Sequence, residues 1–285
     1  MEIVGIISDN LEHLTNKQKI IAQYLINNSD KIGFMSLKEI SEEINVSEVT
    51  ILNFCKNIGI DSFTELKKLF QELITRQFDV PIKVKSSLKE IKNSYDAYNN
   101  TIKLQRFNHE RIIKDNSIGD LEEISQVISK TKKVYICGQG MSEVIAEYLN
   151  SRLKLINIDS RIVKVGDIIS ASLDFSRATE EDCFILISFP KYSHNVIGLS
   201  RYLIENNYTF ISITDSDESP IAKGSKYILR CNSSSLVFLN FISATTCLIE
   251  ILLVMISFNM RDNLMMYLEK LEQIRSSLKK QVKNN

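Results

Sequence analysis

The sequence has no net charge: 35 lysines and arginines face 35 aspartates and glutamates. That balance excludes nucleic-acid binding through bulk positive charge, so any such binding needs a local surface. Cysteines are few and follow no pairing pattern. Cys55, Cys137, Cys183, Cys231 and Cys247 are odd in number, scattered and nowhere at CxxC spacing, and His13, His109 and His194 do not cluster with them. The spacing predicts no metal site, and reduced thiols in a cytoplasmic protein. The opening stretch MEIVGIISDNLEHL lacks a basic n-region and contains Glu2 and Asp9, so a signal peptide is not expected. Apolar residues at 44% and charged residues at 25% exclude disordered, collagen-like and disulfide-scaffold chains. A length of 285 residues suits two ordinary domains with ample core.

Residues 238–258, FLNFISATTCLIEILLVMISF, are long enough to cross a bilayer. Glu250 lies near the middle of the run, where a carboxylate costs about 2.5–3.5 kcal/mol on insertion scales. No basic cluster flanks it. The run reads as a helix buried in a core or subunit interface, and no membrane partner is expected.

Two patterns divide the chain. Up to residue 78 it reads as short helices separated by polar turns, without a strand. Thr15 and Gln18 form a capping-box pattern, followed by Ile20, Ile21, Tyr24 and Leu25 at helical spacing. Ser36 and Glu39 form a second, opening a helix that carries Leu37, Ile40 and Ile44. Asn45 sits where a tight turn needs a left-handed residue, a conformation Asn tolerates. Ser47 can cap the next helix, with Val49, Leu52, Phe54 and Cys55 as its apolar contacts and Gly59 as its stop. Two short helices about three residues apart, the second capped, form a helix-turn-helix pattern. Residues 79–107 form a Lys- and Asn-rich linking helix. From Ile118 onward, helices alternate with short apolar runs at residues 134–137, 161–165, 183–188, 209–214 and 227–231. Continuous apolar runs predict five buried parallel strands in a doubly wound α/β domain, with its ligand at the carboxyl ends of the strands.

The loop after the first of these strands, Gly138-Gln139-Gly140-Met141-Ser142, opens a helix, where backbone N–H groups favour an anion. A dinucleotide fingerprint needs a small residue at position 143, and Glu143 stands there instead. Its carboxylate opposes a pyrophosphate, so no nucleotide cofactor is expected, nor any other. A tight turn without a ligand is the competing reading.

At this point the motifs match a known family. Residues 36–68, SLKEISEEINVSEVTILNFCKNIGIDSFTELKK, resemble the helix-turn-helix of the RpiR/MurR bacterial transcriptional regulators. The second half resembles a sugar isomerase (SIS) domain, through GQGMS (138–142), SFPKYS (188–193) and ITDSDESPIA (213–222). The resemblance spans nearly the whole chain. It implies an all-α helix-turn-helix DNA-binding domain (1–78), a linking helix (79–107), and a flavodoxin-like SIS domain (108–285) that binds a phosphosugar and dimerises. It also implies a homodimer or higher homo-oligomer that binds operator DNA and senses a phosphorylated sugar or similar anionic metabolite.

In the helix opened by Ser47, the outward positions are read as Glu48, Thr50, Ile51, Asn53, Lys56 and Asn57. Its N-terminal end is the part that contacts base edges. By resemblance Ser47, Thr50 and Asn53 occupy the DNA-facing motif, with Asn53 where the family usually has arginine. Residues 1–80 carry eight basic and twelve acidic side chains, a net of −4, so the expected binding is specific but modest, with a shallow salt slope. Lys83, Lys85, Lys89 and Lys92 of the linker can add phosphate contacts, or form a solvated helix face.

The loop after the third strand of phosphosugar-binding SIS domains resembles S-x-S-G-x-T. Here Ser188 and Ser193 keep two hydroxyls, Pro190 removes a hydroxyl and an N–H, and Lys191 supplies a cation. By resemblance this is the SFPRYS form found in part of the family. Gly138, Gly140, Ser142, Ser188, Lys191, Ser193 and Thr214 are the expected ligand-binding residues, and Asp215 can bind a hydroxyl or hold the loop. The alternatives are a non-DNA interaction module or a sugar-phosphate isomerase. An isomerase needs a positioned base. His194 borders the pocket, and burial could raise the pKa of Glu250. Neither has a second catalytic group at a recognisable spacing, so no catalytic residue is expected. The long apolar helix from residue 236 and the amphipathic tail from Asp262 are the expected dimer elements.

Overall fold

The computed structural model describes residues 3–29, 32–77, 84–85, 87–89, 91–236 and 242–283. The chain divides into two compact units, Met1–Ser94 with Leu236–Leu239, and Tyr95–Ser235 with Asn240–Asn285.

The described part of the first unit is helical: α1 (Ile3–Asn10), α2 (Asn16–Asn27), α3 (Leu37–Glu43), α4 (Glu48–Asn57) and α5 (Phe63–Gln77). Its boundaries follow the local chemistry of the sequence. Thr15 with Gln18, and Ser36 with Glu39, both form reciprocal capping boxes. Ser47 accepts from the Thr50 N–H at 3.3 Å to open α4. Asn45 turns the chain between α3 and α4 at φ 52°, and Gly59 ends α4 at φ 80°. The buried stripe of α4 is Ile51, Phe54, Cys55 and Ile58, packed with Ile21, Leu25, Ile40 and Phe70. Burial of each large side chain stabilises the unit by about 1.5–3 kcal/mol.

That stripe corrects two expectations. Ile51 is fully buried rather than outward-facing, while Val49 and Leu52 are 64% and 37% exposed rather than in the core. The apolar residues of α4 are spread over more than one stripe, and packing against α2, α3 and α5 selects which ones turn inward. Ile20, expected to share the stripe of α2, is likewise exposed, and Ala22 takes its place inside.

The second unit begins within α6 (Ser94–Asp115), whose far end buries Asn108 and Ile112. Of the expected linking helix 79–107, residues 79–83, 86 and 90 lie outside the described residues, Lys83 among them. Then follow α7 (Ile118–Lys130), β1 (Val134–Gly138), α8 (Met141–Leu155), β2 (Ser160–Val163), α9 (Ile168–Phe175), β3 (Cys183–Ile187) and α10 (His194–Glu205). The chain continues through β4 (Phe210–Thr214), β5 (Tyr227–Arg230), α11 (Ser243–Asn259) and α12 (Arg261–Lys283). The five strands are parallel in the order β2-β1-β3-β4-β5, a flavodoxin-like doubly wound sheet. β1, β3 and β4 are buried at every residue, as their continuous apolar runs require, whereas the edge strands β2 and β5 are only partly buried, which corrects the expectation of five buried strands.

Edge strand β5 is covered by a side chain. Asn116, itself buried, donates to the Arg230 carbonyl at 2.8 Å and accepts from the Arg230 N–H at 2.8 Å. The amide thus satisfies backbone groups that an edge leaves open. The core on one face of the sheet is closed by α7, α8 and α11, through Ile124, Ile128, Ile145, Leu149, Leu248 and Leu252. α11 is therefore a core helix on one side, with residues 238–241 of the apolar run outside the described residues. No single helix among the described residues is long and apolar enough to cross a membrane.

Candidate functional site

In the flavodoxin-like order, the strand connections diverge between β1 and β3, and it is at the carboxyl ends of such strands that open α/β sheets form their ligand crevice. The loops after those two strands meet there. Ser193 Oγ donates to Gln139 Oε1, and Asn195 Nδ2 donates to the same oxygen at 3.3 Å. The Ser193 N–H donates to Ser188 Oγ at 3.2 Å, and Ser193 Oγ caps α10 by accepting from the Val196 N–H at 3.4 Å. Gly138, Gly140, Ser142, Ser188 and Ser193 are thus brought to one place, at the N-termini of α8 and α10. Ser142 and Ser188 are buried beneath the loops.

Two glycines have steric reasons to be there. A Cβ on Gly138 would lie 2.4 Å from the Ser142 carbonyl oxygen and 2.7 Å from its carbon, so α8 can start this close to β1 only without a side chain. Gly140 adopts φ 63° and ψ −128°, which an L side chain rarely reaches. Lys191 reaches φ 72° despite having a Cβ. Such a conformation costs about 1–2 kcal/mol, and the Lys191 side chain is exposed.

Thr214 lies deeper than the other expected ligand residues. It is fully buried, and its hydroxyl donates to Ser219 Oγ at 2.7 Å and lies 3.1 Å from Asp215 Oδ1. Asp215 in turn accepts from the Tyr192 hydroxyl at 2.7 Å. These contacts tie the loop after β4 to the loop after β3. Gln139, Asn195 and Tyr192 are the residues that sequence reasoning missed. Only the position of Gln139 between two glycines of the β1 loop hinted at a role. Beside Asn195 opens a cleft of about 560 Å³ between α9 and α10, lined by Val165, Ile168, Phe175, His194, Leu199 and Tyr202 among others.

The residues considered for catalysis do not assemble. His194 starts α10 at the cleft, whereas Glu250 lies on α11 and is gripped by α8. Arg152 donates to both Glu250 oxygens, at 2.8 and 2.6 Å, and the Tyr148 hydroxyl donates to one of them. The expected rise in the Glu250 pKa is corrected: the Arg152 and Tyr148 hydrogen bonds hold this carboxyl below its ordinary value and outweigh desolvation. It is a paired carboxylate, not a poised base. Among the described residues, no group of three or more His, Cys, Asp or Glu side chains is placed to hold a metal ion.

In the first unit, Glu48, Asn53, Lys56 and Asn57 are exposed on α4, as is the Ser47 cap. Thr50 is half-buried, its hydroxyl 2.8 Å from Ser47 Oγ. The described linker lysines Lys85, Lys89 and Lys92 are exposed.

The sequence pattern of the helix-turn-helix domain, rpiR family, matches residues 1–76, and that of the SIS domain matches residues 127–255. The chain belongs to the RpiR family. An HTH-type transcriptional regulator of Haemophilus influenzae is 28% identical to it over 222 residues, covering 76% of this chain and 75% of the other. The regulator HexR of Escherichia coli is 23% identical over 227 residues, covering 78% of this chain and 75% of its own. Among solved structures, the Vibrio vulnificus NanR protein complexed with ManNAc-6P shares the fold, with a TM-score of 0.63 at 15% identity. That match covers 97% of this chain and 98% of the other. This RpiR-family member is a transcriptional regulator rather than an enzyme, as are the relatives its sequence matches.

Proposed function

We propose that the protein is a homodimeric, cytoplasmic regulator that binds operator DNA through α3 and α4 and senses a phosphorylated sugar or similar anionic metabolite in the β1–β3 crevice. The convergence of the two loops carries the ligand reading. Serine hydroxyls, a glutamine amide and the N-termini of α8 and α10 meet where an open α/β sheet places its ligand, and in this reading the exposed Lys191 of the same loop supplies a cation. Gly138, Gly140, Ser142, Ser188, Lys191 and Ser193 line the site in this reading, and Thr214 supports it from below. The NanR complex with ManNAc-6P, a sugar phosphate on the same fold, favours that ligand class. Glu143 in the first turn of α8 disfavours a ligand with more phosphate charge than a monoester.

In the DNA-bound state Ser47, Glu48, Thr50, Asn53, Lys56 and Asn57 lie toward the major groove, with Asn53 able to bond adenine in bidentate fashion. The acidic balance of residues 1–80 keeps the phosphate contribution small, which gives a shallow salt slope. Dimerisation uses α11 and α12. Val254 and Phe258 are 68% and 73% exposed beyond the core stripe of α11, and α12 exposes Met266, Ile274 and Leu278. A dimer fixes the spacing of two recognition helices, so the operator has paired half-sites. A ligand changes operator affinity only by binding two dimer arrangements unequally. The test is a melting-temperature screen of the purified protein against sugar phosphates. A shift with one member at saturating concentration supports the reading, and none across the panel refutes the ligand class.

A further inference from the structure

The outward side of α4 carries two aliphatic side chains where it should meet DNA first. Val49 and Leu52 are 64% and 37% exposed, and with Asn53 and Lys56 they fall at i, i+3, i+4 and i+7, one continuous stripe. The opposite stripe is already committed to the core through Ile51, Phe54, Cys55 and Ile58. The hydroxyls at the start of the helix are committed too: Ser47 Oγ and Thr50 Oγ1 lie 2.8 Å apart, and Ser47 caps the helix. The side chains left to present at the N-terminal end, which is the end that reaches base edges, include two aliphatic ones. An aliphatic group cannot read a hydrogen-bond pattern. Its one sequence-specific partner in the major groove is the C5-methyl group of thymine.

We propose that Val49 and Leu52 select thymines within each operator half-site by packing on their methyl groups, with Asn53 and Lys56 reading farther along the same helix. This inference rests on the reading that α4 enters the major groove. It also accounts for a helix that tolerates asparagine at position 53: part of the discrimination comes from methyl contacts that need no charge. Each methyl buried between an aliphatic side chain and the groove contributes about a fourfold gain in affinity, the equivalent of one buried CH₂ group.

The test begins with selection of duplexes from a random pool by the full-length protein at low salt. The selected duplex is then remade with deoxyuridine replacing single thymines, which deletes only the methyl group. Binding is followed by fluorescence anisotropy. The wild-type protein is expected to lose about fourfold at one or two positions per half-site. Val49→Ala alters a largely exposed position, so its melting curve is expected to match wild type, whereas Leu52→Ala removes a partly covered side chain and is compared at a temperature below its own melting transition. Each should bind the thymine duplex more weakly, and one of them should bind the matching thymine and uracil duplexes equally. Equal wild-type binding to both duplexes overturns the inference while leaving DNA binding intact, as does a selected site without thymine in the contacted positions. Failure to enrich any duplex overturns both the inference and the DNA-binding reading beneath it.

Discussion

Three glycines at one end of the SIS sheet should respond to the same substitution with different signs. In Gly138→Ala the new Cβ meets the Ser142 carbonyl oxygen at 2.4 Å and its carbon at 2.7 Å. Both partners are backbone, so the clash is relieved only if β1 or the start of α8 moves by several tenths of an ångström. Overpacking of this kind costs about 1–3 kcal/mol. Gly140→Ala meets no neighbour within 4 Å, but its φ of 63° strains any side chain, at about 1–3 kcal/mol. Gly198, within α10, also has open space around it and helical backbone, so Gly198→Ala should stabilise the domain by about 0.5–1 kcal/mol. For a domain of this size, each kcal/mol moves the melting temperature by about 2–4 °C. Differential scanning calorimetry of the full-length protein, following the SIS transition, reads all three. A Gly138→Ala protein that melts with wild type would refute the close approach of β1 and α8. A destabilised Gly198→Ala would refute the packing assigned to α10.

Lys191 should separate stability from ligand binding. Lys191→Gly relieves the positive φ and should stabilise by about 1 kcal/mol, while loss of a charged hydrogen bond of about 1.5–3 kcal/mol weakens the effector at least tenfold by calorimetric titration. A Lys191→Gly protein with unaltered affinity would remove the lysine from the site. Burial pushes the thiols of Cys55 and Cys231 up to about 11 and that of Cys183 up to about 12, and it raises Cys137 as well. A disulfide reagent at pH 8 should therefore titrate at most Cys247 rapidly in the native protein and all five thiols after denaturation. Val254→Asp combined with Phe258→Asp should lower the oligomeric state measured by sedimentation. An unchanged oligomeric state would contradict the proposed use of α11.

The caps were legible because their chemistry is local. Thr15 with Gln18, Ser36 with Glu39, and Ser47 each act within three residues, and Asn45 needs only its own backbone. The central strands β1, β3 and β4 were legible to within two residues because burial on both faces demands an unbroken apolar run, and the partly buried edge strands β2 and β5 were legible as shorter apolar runs. The facing of α4 was not, because its five apolar residues Val49, Ile51, Leu52, Phe54 and Cys55 are spread over more than one stripe of the helix. Only the packing of α2, α3 and α5 decides that Ile51 turns inward. The crevice was half legible. Its glycines and serines stand in local motifs, but Gln139 meets Ser193 across 54 residues and Tyr192 meets Asp215 across 23. Glu250 misled for the same reason: its helix is apolar in sequence, and the Arg152 that neutralises it comes from α8, 98 residues earlier.

The central claim joins the two units: a metabolite held at the β1–β3 crevice changes what α4 does on DNA. Fluorescence anisotropy of the full-length protein on its selected duplex, titrated with a panel of sugar phosphates, tests that link directly. One compound should shift the operator affinity at least fivefold, the equivalent of a coupling free energy of about 1 kcal/mol. The shift should vanish in Lys191→Gly while DNA binding persists. Specific operator binding that no sugar phosphate alters would contradict the claim.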